Sequence, residues 1–321
     1  MQRTSRRCFL QQSAATLAAV GFWHRNVSSS RAETQTPATS PHPVRLGAPV
    51  FESSQDPETL ALAHRKLGYR AAYCPAVGLD DKERIRDIEK AFAKHDVVIA
   101  EVGRWCNLLD ADPAKRAANL ASVTEGLALA DAVGARCCVD IAGSFNPKVW
   151  FGPDPKNFSQ EFFDITVENA RKIIDAVKPR RTKFGYEVMG WCMPDGPDNY
   201  LKMIRAIDRP AFGVHLDPCN AVNSPEKFYQ NTKLLNECFD KLGPWIASCH
   251  AKDLTWDVEM NVHFREVCLG DGSLDYTTYL RRLATLPNDV PLMIEHMKDA
   301  EEYDRSRNHL FQLAKKIGVR F

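Results

Sequence analysis

The sequence predicts a single-domain α/β protein, a (β/α)8 TIM barrel over residues 44–321, and three observations carry that prediction. Eight short apolar runs recur at 44–51, 71–76, 97–103, 136–143, 183–189, 212–217, 246–252 and 290–296. Amphipathic stretches with helical spacing lie between them, such as Ile85, Ile88 and Phe92, or Leu120, Val123, Leu127 and Ala130. The runs begin 26 to 47 residues apart, one strand–helix unit each, and eight units fit the roughly 250 residues of such a barrel. The alternative, an open doubly wound sheet, would carry a Gly-rich first turn that this chain lacks.

Local signals agree with that division. Asp56-Pro57 and Asp112-Pro113 place an N-capping carboxylate before a proline at the first helical position. Gly68 and Gly134 fall where the preceding helices should stop, just ahead of the next strand.

Residues 1–32 have a different character. Ser5-Arg6-Arg7-Cys8-Phe9-Leu10 precedes a small-residue apolar stretch, the pattern of a twin-arginine export signal, with Ser30-Arg31-Ala32 as its cleavage site. Residues 33–43 read as a linker. The expected location is therefore periplasmic or extracellular. Removing 1–32 takes away five arginines and no acid, leaving 37 bases against 41 acids and a net charge of −4. An acidic surface argues against nucleic acid as a partner, because phosphate neutralisation supplies most of that affinity. No apolar run is long enough for a membrane span in the mature chain. The ten cysteines include no C-x-x-C pair, and Cys137-Cys138 sit inside an apolar run as core residues.

In a barrel of this kind, chemistry collects where strands end. The last four runs close on Glu187, Asp217, His250 and Glu295. Three carboxylates and an imidazole converging at a barrel mouth repel unless a cation joins them. That donor set suits one divalent metal ion, with Mn²⁺, Mg²⁺ or Co²⁺ favoured and Zn²⁺ possible.

Those residues, in their contexts Tyr-Glu-Val, His-Leu-Asp-Pro-Cys-Asn, Cys-His-Ala-Lys-Asp and Ile-Glu-His, resemble the xylose isomerase-like superfamily, in particular its sugar phosphate isomerase/epimerase group. The segment Gly270-Asp271-Gly272-Ser273-Leu274-Asp275 is similar to the Gly-x-Gly-x-x-Asp turn of that group. Many of its epimerases carry a second histidine three residues after the sixth-strand aspartate, where this chain has Asn220. The resemblance implies proton abstraction α to a sugar carbonyl through a metal-stabilised enediolate, with Glu187 and Glu295 as the acid/base pair. Lys252, two beyond His250, would face the same side and hold a substrate oxygen.

Residues placed near that site by parity or loop position are the substrate-binding candidates: Glu101 and Trp105 at strand three, His215 two before Asp217, Asn220, Arg265 and Trp191. Asp140 and Trp150 are weaker candidates. His296 should point outward by alternation, and Gly270 and Gly272 are first of all turn glycines. The expected activity is a sugar isomerase or epimerase acting on a sugar or keto-sugar, with a homo-oligomer as the expected assembly. An inosose-type or keto-sugar dehydratase would use the same residues. A non-catalytic exported sugar-binding protein or an endonuclease IV-like repair enzyme fits less well.

Overall fold

The computed structural model describes residues 42–287 and 289–321; the expected export signal and most of the linker lie outside the described residues. Eight parallel strands close the predicted barrel: β1 (Arg45–Gly47), β2 (Ala71–Tyr73), β3 (Val98–Gly103), β4 (Cys137–Asp140), β5 (Lys183–Glu187), β6 (Phe212–Leu216), β7 (Ile246–Ala251) and β10 (Pro291–Ile294). β7 and β10 are direct neighbours, so β5, β6, β7 and β10 form one continuous half of the wall. The chain between β7 and β10 adds an antiparallel hairpin, β8 (Asp253–Trp256) with β9 (Phe264–Val267), which replaces the loop expected there.

The main helices are α1 (Pro57–Lys66), α2 (Lys82–Lys94), α3 (Pro113–Val133), α4 (Gln160–Val177), α5 (Pro197–Ile207), α8 (Asn231–Leu242), α9 (Tyr276–Leu283) and α10 (Ala300–Ile317), with short α6 (Pro218–Ala221) and α7 (Pro225–Tyr229) after β6. The expected caps are present. Asp56 accepts from the Thr59 N–H at 2.8 Å and Asp112 from Ala114 at 2.8 Å, each worth about 1 kcal/mol. Helix α3 ends at Gly134 in the left-handed region, φ 74°. Ile85, Ile88 and Phe92 form the buried stripe of α2, and each contributes roughly 1.5–3 kcal/mol by leaving water.

Two apolar clusters result. The large one fills the layer between strands and helices. A small one, Ala71, Ala100 and Met293 with Tyr73 and Val98 against it, lies apart from it. Strand β3 changes parity on the way up: Tyr73 pairs with Glu101 rather than Ala100, a one-residue bulge. Ile99 and Val102, three apart, consequently both pack in the large outer cluster, and Glu101 turns inward to the histidines of β6 and β7. At the start of the strands, Arg45 reaches Asp96 Oδ1 at 2.9 Å and also contacts Asp289, while Arg70 holds Asp96 Oδ2 at 2.9 Å.

Among the described residues, all nine cysteines are free and no helix is long and apolar enough to cross a membrane.

Candidate metal centre

Glu187 ends β5, Asp217 follows β6, His250 lies on β7 and Glu295 follows β10. One donor atom from each lies within 4.8 Å of all the others. His250 Nδ1 is the hub: it stands 3.0 Å from Glu187 Oε1 and 3.6 Å from Asp217 Oδ2, and it also contacts Glu295. Asp217 Oδ2 and Glu295 Oε2 are buried and make no hydrogen bond of good geometry. Three acceptor-only carboxylates around one imidazole nitrogen fit a divalent cation, which supplies the positive charge the cluster otherwise draws from His250 and Lys252. Glu187, Asp217, His250 and Glu295 are the residues that would hold it.

The electrostatics follow that crowding. Burial works against the charged form of every group in the cluster. It prevails at Glu187, whose carboxyl is pushed up despite His250 and Lys252. It is outweighed at Asp217 by Lys252 and His250, and at Glu295 by His250, so both carboxyls are held below their ordinary range. His250 and Lys252 are likewise held protonated well above their usual values, because the surrounding carboxylates outweigh burial.

Behind the cluster sits a second layer. Glu101 Oε1 stands 3.2 Å from His250 Nε2, while Oε2 lies 2.8 Å from His215 Nε2 and accepts from Ser248 Oγ at 3.1 Å. Burial would raise this carboxyl, but the two imidazoles outweigh it and hold it at about 2. Glu101 and His215, expected to touch substrate, are thus engaged beneath the donors instead. Tyr279 and Tyr276 of α9 donate to the carbonyls of His250 (2.9 Å) and Lys252 (2.8 Å), so a helix face fixes the strand that carries both.

A family model described as the xylose isomerase-like TIM barrel matches residues 62–313, the span that contains all four donors. The chain belongs to the xylose isomerase-like TIM barrel family. Solved structures of similar fold include a xylose isomerase-like TIM barrel protein from Mycobacterium smegmatis in complex with magnesium, at 16% identity and TM-score 0.60, over 88% of this chain and 99% of that one. Another is 3-keto-D-glucoside 4-epimerase from E. coli, at 13% identity and TM-score 0.60, over 85% of this chain and 99% of that one. A third is the probable 3-DHS dehydratase AsbF from Bacillus anthracis, at 14% identity and TM-score 0.61, over 84% and 98%. None of the curated protein sequences matches the chain significantly. At these identities the likeness speaks for the fold.

Within this xylose isomerase-like barrel the remaining predicted residues divide. Lys252 and Asn220 join the centre: Lys252 Nζ lies 2.8 Å from Asp217 Oδ2 and donates to Asn220 Oδ1 at 3.0 Å, while Asn220 Nδ2 donates to Glu187 Oε1 at 3.2 Å. Trp105 is half-exposed beside them, its ring 6.4 Å from that of His250. Trp105 and Trp150 line one cavity with Glu187, Asn220, Lys252 and Glu295. Trp191 does not: its indole is exposed, and only its carbonyl is engaged, by Asn157. Arg265 also points away. On β9, alternation sends it to Asp257 (2.7 Å) on the exposed side and turns its neighbour Glu266 inward. Asp140 accepts from the backbone of Cys106 and Ile141 and pins the β3 loop to β4.

Two site residues escaped the sequence reading. His296 was expected to face outward, but β10 ends at Ile294 and His296 adopts φ 61°, which breaks the alternation. Its Nε2 stands 3.1 Å from Glu295 Oε1 and its Nδ1 2.8 Å from Glu266 Oε2. Those two carboxylates raise the imidazole to about 9. Glu266, 3.6 Å from Lys252 Nζ, arrives on the unforeseen hairpin. An acidic residue between Arg265 and Val267 was the one signal available for it.

Proposed function

We propose that this chain is a divalent-metal-dependent sugar isomerase or epimerase that moves a proton α to a carbonyl. The observation that carries the reading is that Glu187 and Glu295, from strands three positions apart, both line one cavity beside Lys252 and Asn220. A divalent cation, when bound, supplies Lewis-acid polarisation of the substrate carbonyl and offsets the charge of the enediolate. One of Glu187 and Glu295 removes, as a carboxylate, the proton from the carbon next to the carbonyl, and the other, as the acid, returns one to the same or the neighbouring carbon. Lys252, held by Asp217 and Asn220, places an ammonium against a substrate oxygen. His296, itself held by Glu266, fixes Glu295 at the rim.

A keto-sugar dehydratase is the second reading. It is favoured by Lys252, whose ammonium can donate to a departing hydroxyl after the same proton abstraction. Export by the twin-arginine route belongs to the proposal too, on the strength of Ser5-Arg6-Arg7-Cys8-Phe9-Leu10. Mass spectrometry of the exported protein is expected to find a chain that begins after about Ala32, and an intact Met1 end would overturn this part of the reading.

Solvent-deuterium incorporation, followed by NMR on a panel of keto-sugars and inososes with Mn²⁺ or with chelator, tests the activity. Metal-dependent labelling at one carbon is expected. Labelling without loss of water identifies an isomerase or epimerase, and loss of water a dehydratase. No labelling of any compound by the metal-loaded protein overturns both.

A further inference from the structure

We infer that the substrate is a two-ring glycoside, with its reacting sugar over the metal centre and its second ring in an adjoining lobe of the same cleft. The inference rests on the isomerase or epimerase reading and narrows its substrate class. Two neighbouring cavities that share lining residues supply those lobes. One, of about 360 Å³, is walled by Trp105, Trp150, Glu187, Asn220, Lys252 and Glu266. The other, of about 420 Å³, is walled by Tyr73, Pro75, Val77, Arg104, Trp105 and Tyr303. Trp105, Glu295 and His296 line both.

Each lobe alone is the size of a complete small-ligand site, which begins at about 300 Å³. A single sugar ring bound over Glu187 and Lys252 leaves the second lobe unfilled. Of the four donors only Glu295 borders that lobe, so its walls serve recognition rather than proton transfer. Three aromatic side chains (Tyr73, Trp105 and Tyr303) offer faces on which a ring can stack. Arg104 adds a guanidinium that can bond hydroxyl oxygens. The remaining carboxylate there, Glu101, is buried and occupied by His215 and His250. The lobe thus suits a neutral ring, either a second sugar or an aromatic aglycone.

Trp105 is built to stand between the lobes. A Cβ on Gly103 would lie 2.7 Å from the indole Nε1, so only glycine at the end of β3 lets the ring fold over the strand. A glycosidic link passing Trp105 places the reacting carbons on the Glu187 side and the second ring on the Tyr303 side.

The test compares binding of glucose, cellobiose and phenyl β-D-glucoside to the Mn²⁺-loaded full chain by titration calorimetry. Two-ring probes are expected to bind about tenfold or more tightly than glucose. In Arg104→Ala and Tyr303→Ala, each checked for an unchanged Tm, that ratio is expected to fall to near one. A preference for cellobiose alone identifies a second sugar, and one for the phenyl glycoside alone an aromatic aglycone. A ratio near one in the wild type, no binding of any probe, or a ratio that survives both substitutions overturns the inference. Deuterium exchange separates it from the reading beneath it. Exchange on keto-sugars with a ratio near one removes only the two-ring claim, whereas a high ratio without exchange removes only the enzymatic one.

Discussion

Glu101 Oε1 stands 3.2 Å from Nε2 of His250, on the side of the imidazole opposite the nitrogen that faces Glu187, Asp217 and Glu295. The two residues come from β3 and β7, on opposite arcs of the barrel. A carboxylate there accepts the hydrogen bond from Nε2–H, which keeps the proton on that nitrogen and leaves the Nδ1 lone pair for a cation. Glu101→Gln keeps the shape but presents an amide that can donate to Nε2 and favour the wrong tautomer. Mn²⁺ affinity, read by competition with a chromophoric chelator, is expected to fall about 10- to 100-fold. Unchanged affinity would show that Glu101 only fills space.

The Gly-x-Gly segment has a different role from ligand contact. Asp253 accepts backbone N–H bonds from Leu254 (2.9 Å), Gly270 (3.0 Å), Gly272 (3.1 Å) and Leu274 (3.0 Å), folding the turn around one carboxylate. A Cβ at Gly272 would lie 2.2 Å from Asp253 Oδ1. Asp253→Ala is expected to cost about 2–4 kcal/mol, because several buried donors lose one acceptor. Chemical denaturation measures it, and a loss under 1 kcal/mol would contradict this account.

Sequence patterns made the barrel legible because each strand and helix satisfies a local period, and Glu187, Asp217, His250 and Glu295 occupy equivalent strand ends. Parity placed Lys252 on the correct face. What remained hidden depends on departures from period two. The bulge opposite Ala72–Tyr73 aims Glu101 at His215 and His250, and the left-handed backbone of His296 returns that ring to Glu295. Glu266 takes the inward place expected of Arg265 because the hairpin's register is set by pairing with β8, which spacing along the chain does not encode.

His64 gives the fold a pH dependence away from the metal centre. Its ring is buried on α1 against Tyr69 and Phe92, with Nδ1 2.9 Å from the Leu60 carbonyl. Burial lowers its affinity for a proton, outweighing the backbone bonds to Leu60 and Ala48 that raise it. The unfolded chain takes up this proton near pH 6.5 while the native one still refuses it, so stability drops as pH falls below that point. The Tm loss between pH 7.5 and pH 5.5 is expected to be smaller in His64→Phe than in the wild type. An equal loss in both would remove His64 from the account.

Cation binding is expected to be visible in stability as well as in turnover, because the donors converge only in the folded barrel. With free Mn²⁺ at about 100 times Kd the gain is about 2.7 kcal/mol, roughly a 5–10 °C rise in Tm for a domain of this size, and a chelator should reverse it. Asp217→Asn isolates the metal contribution. Asp217 Oδ1 accepts from the Asn220 N–H at 3.0 Å and caps α6, a bond the amide oxygen preserves. Its Oδ2, turned towards His250 and Lys252, becomes an uncharged donor. The variant should therefore fold and lose most of the Mn²⁺-induced shift. A full shift in Asp217→Asn would place the cation elsewhere than between these four side chains.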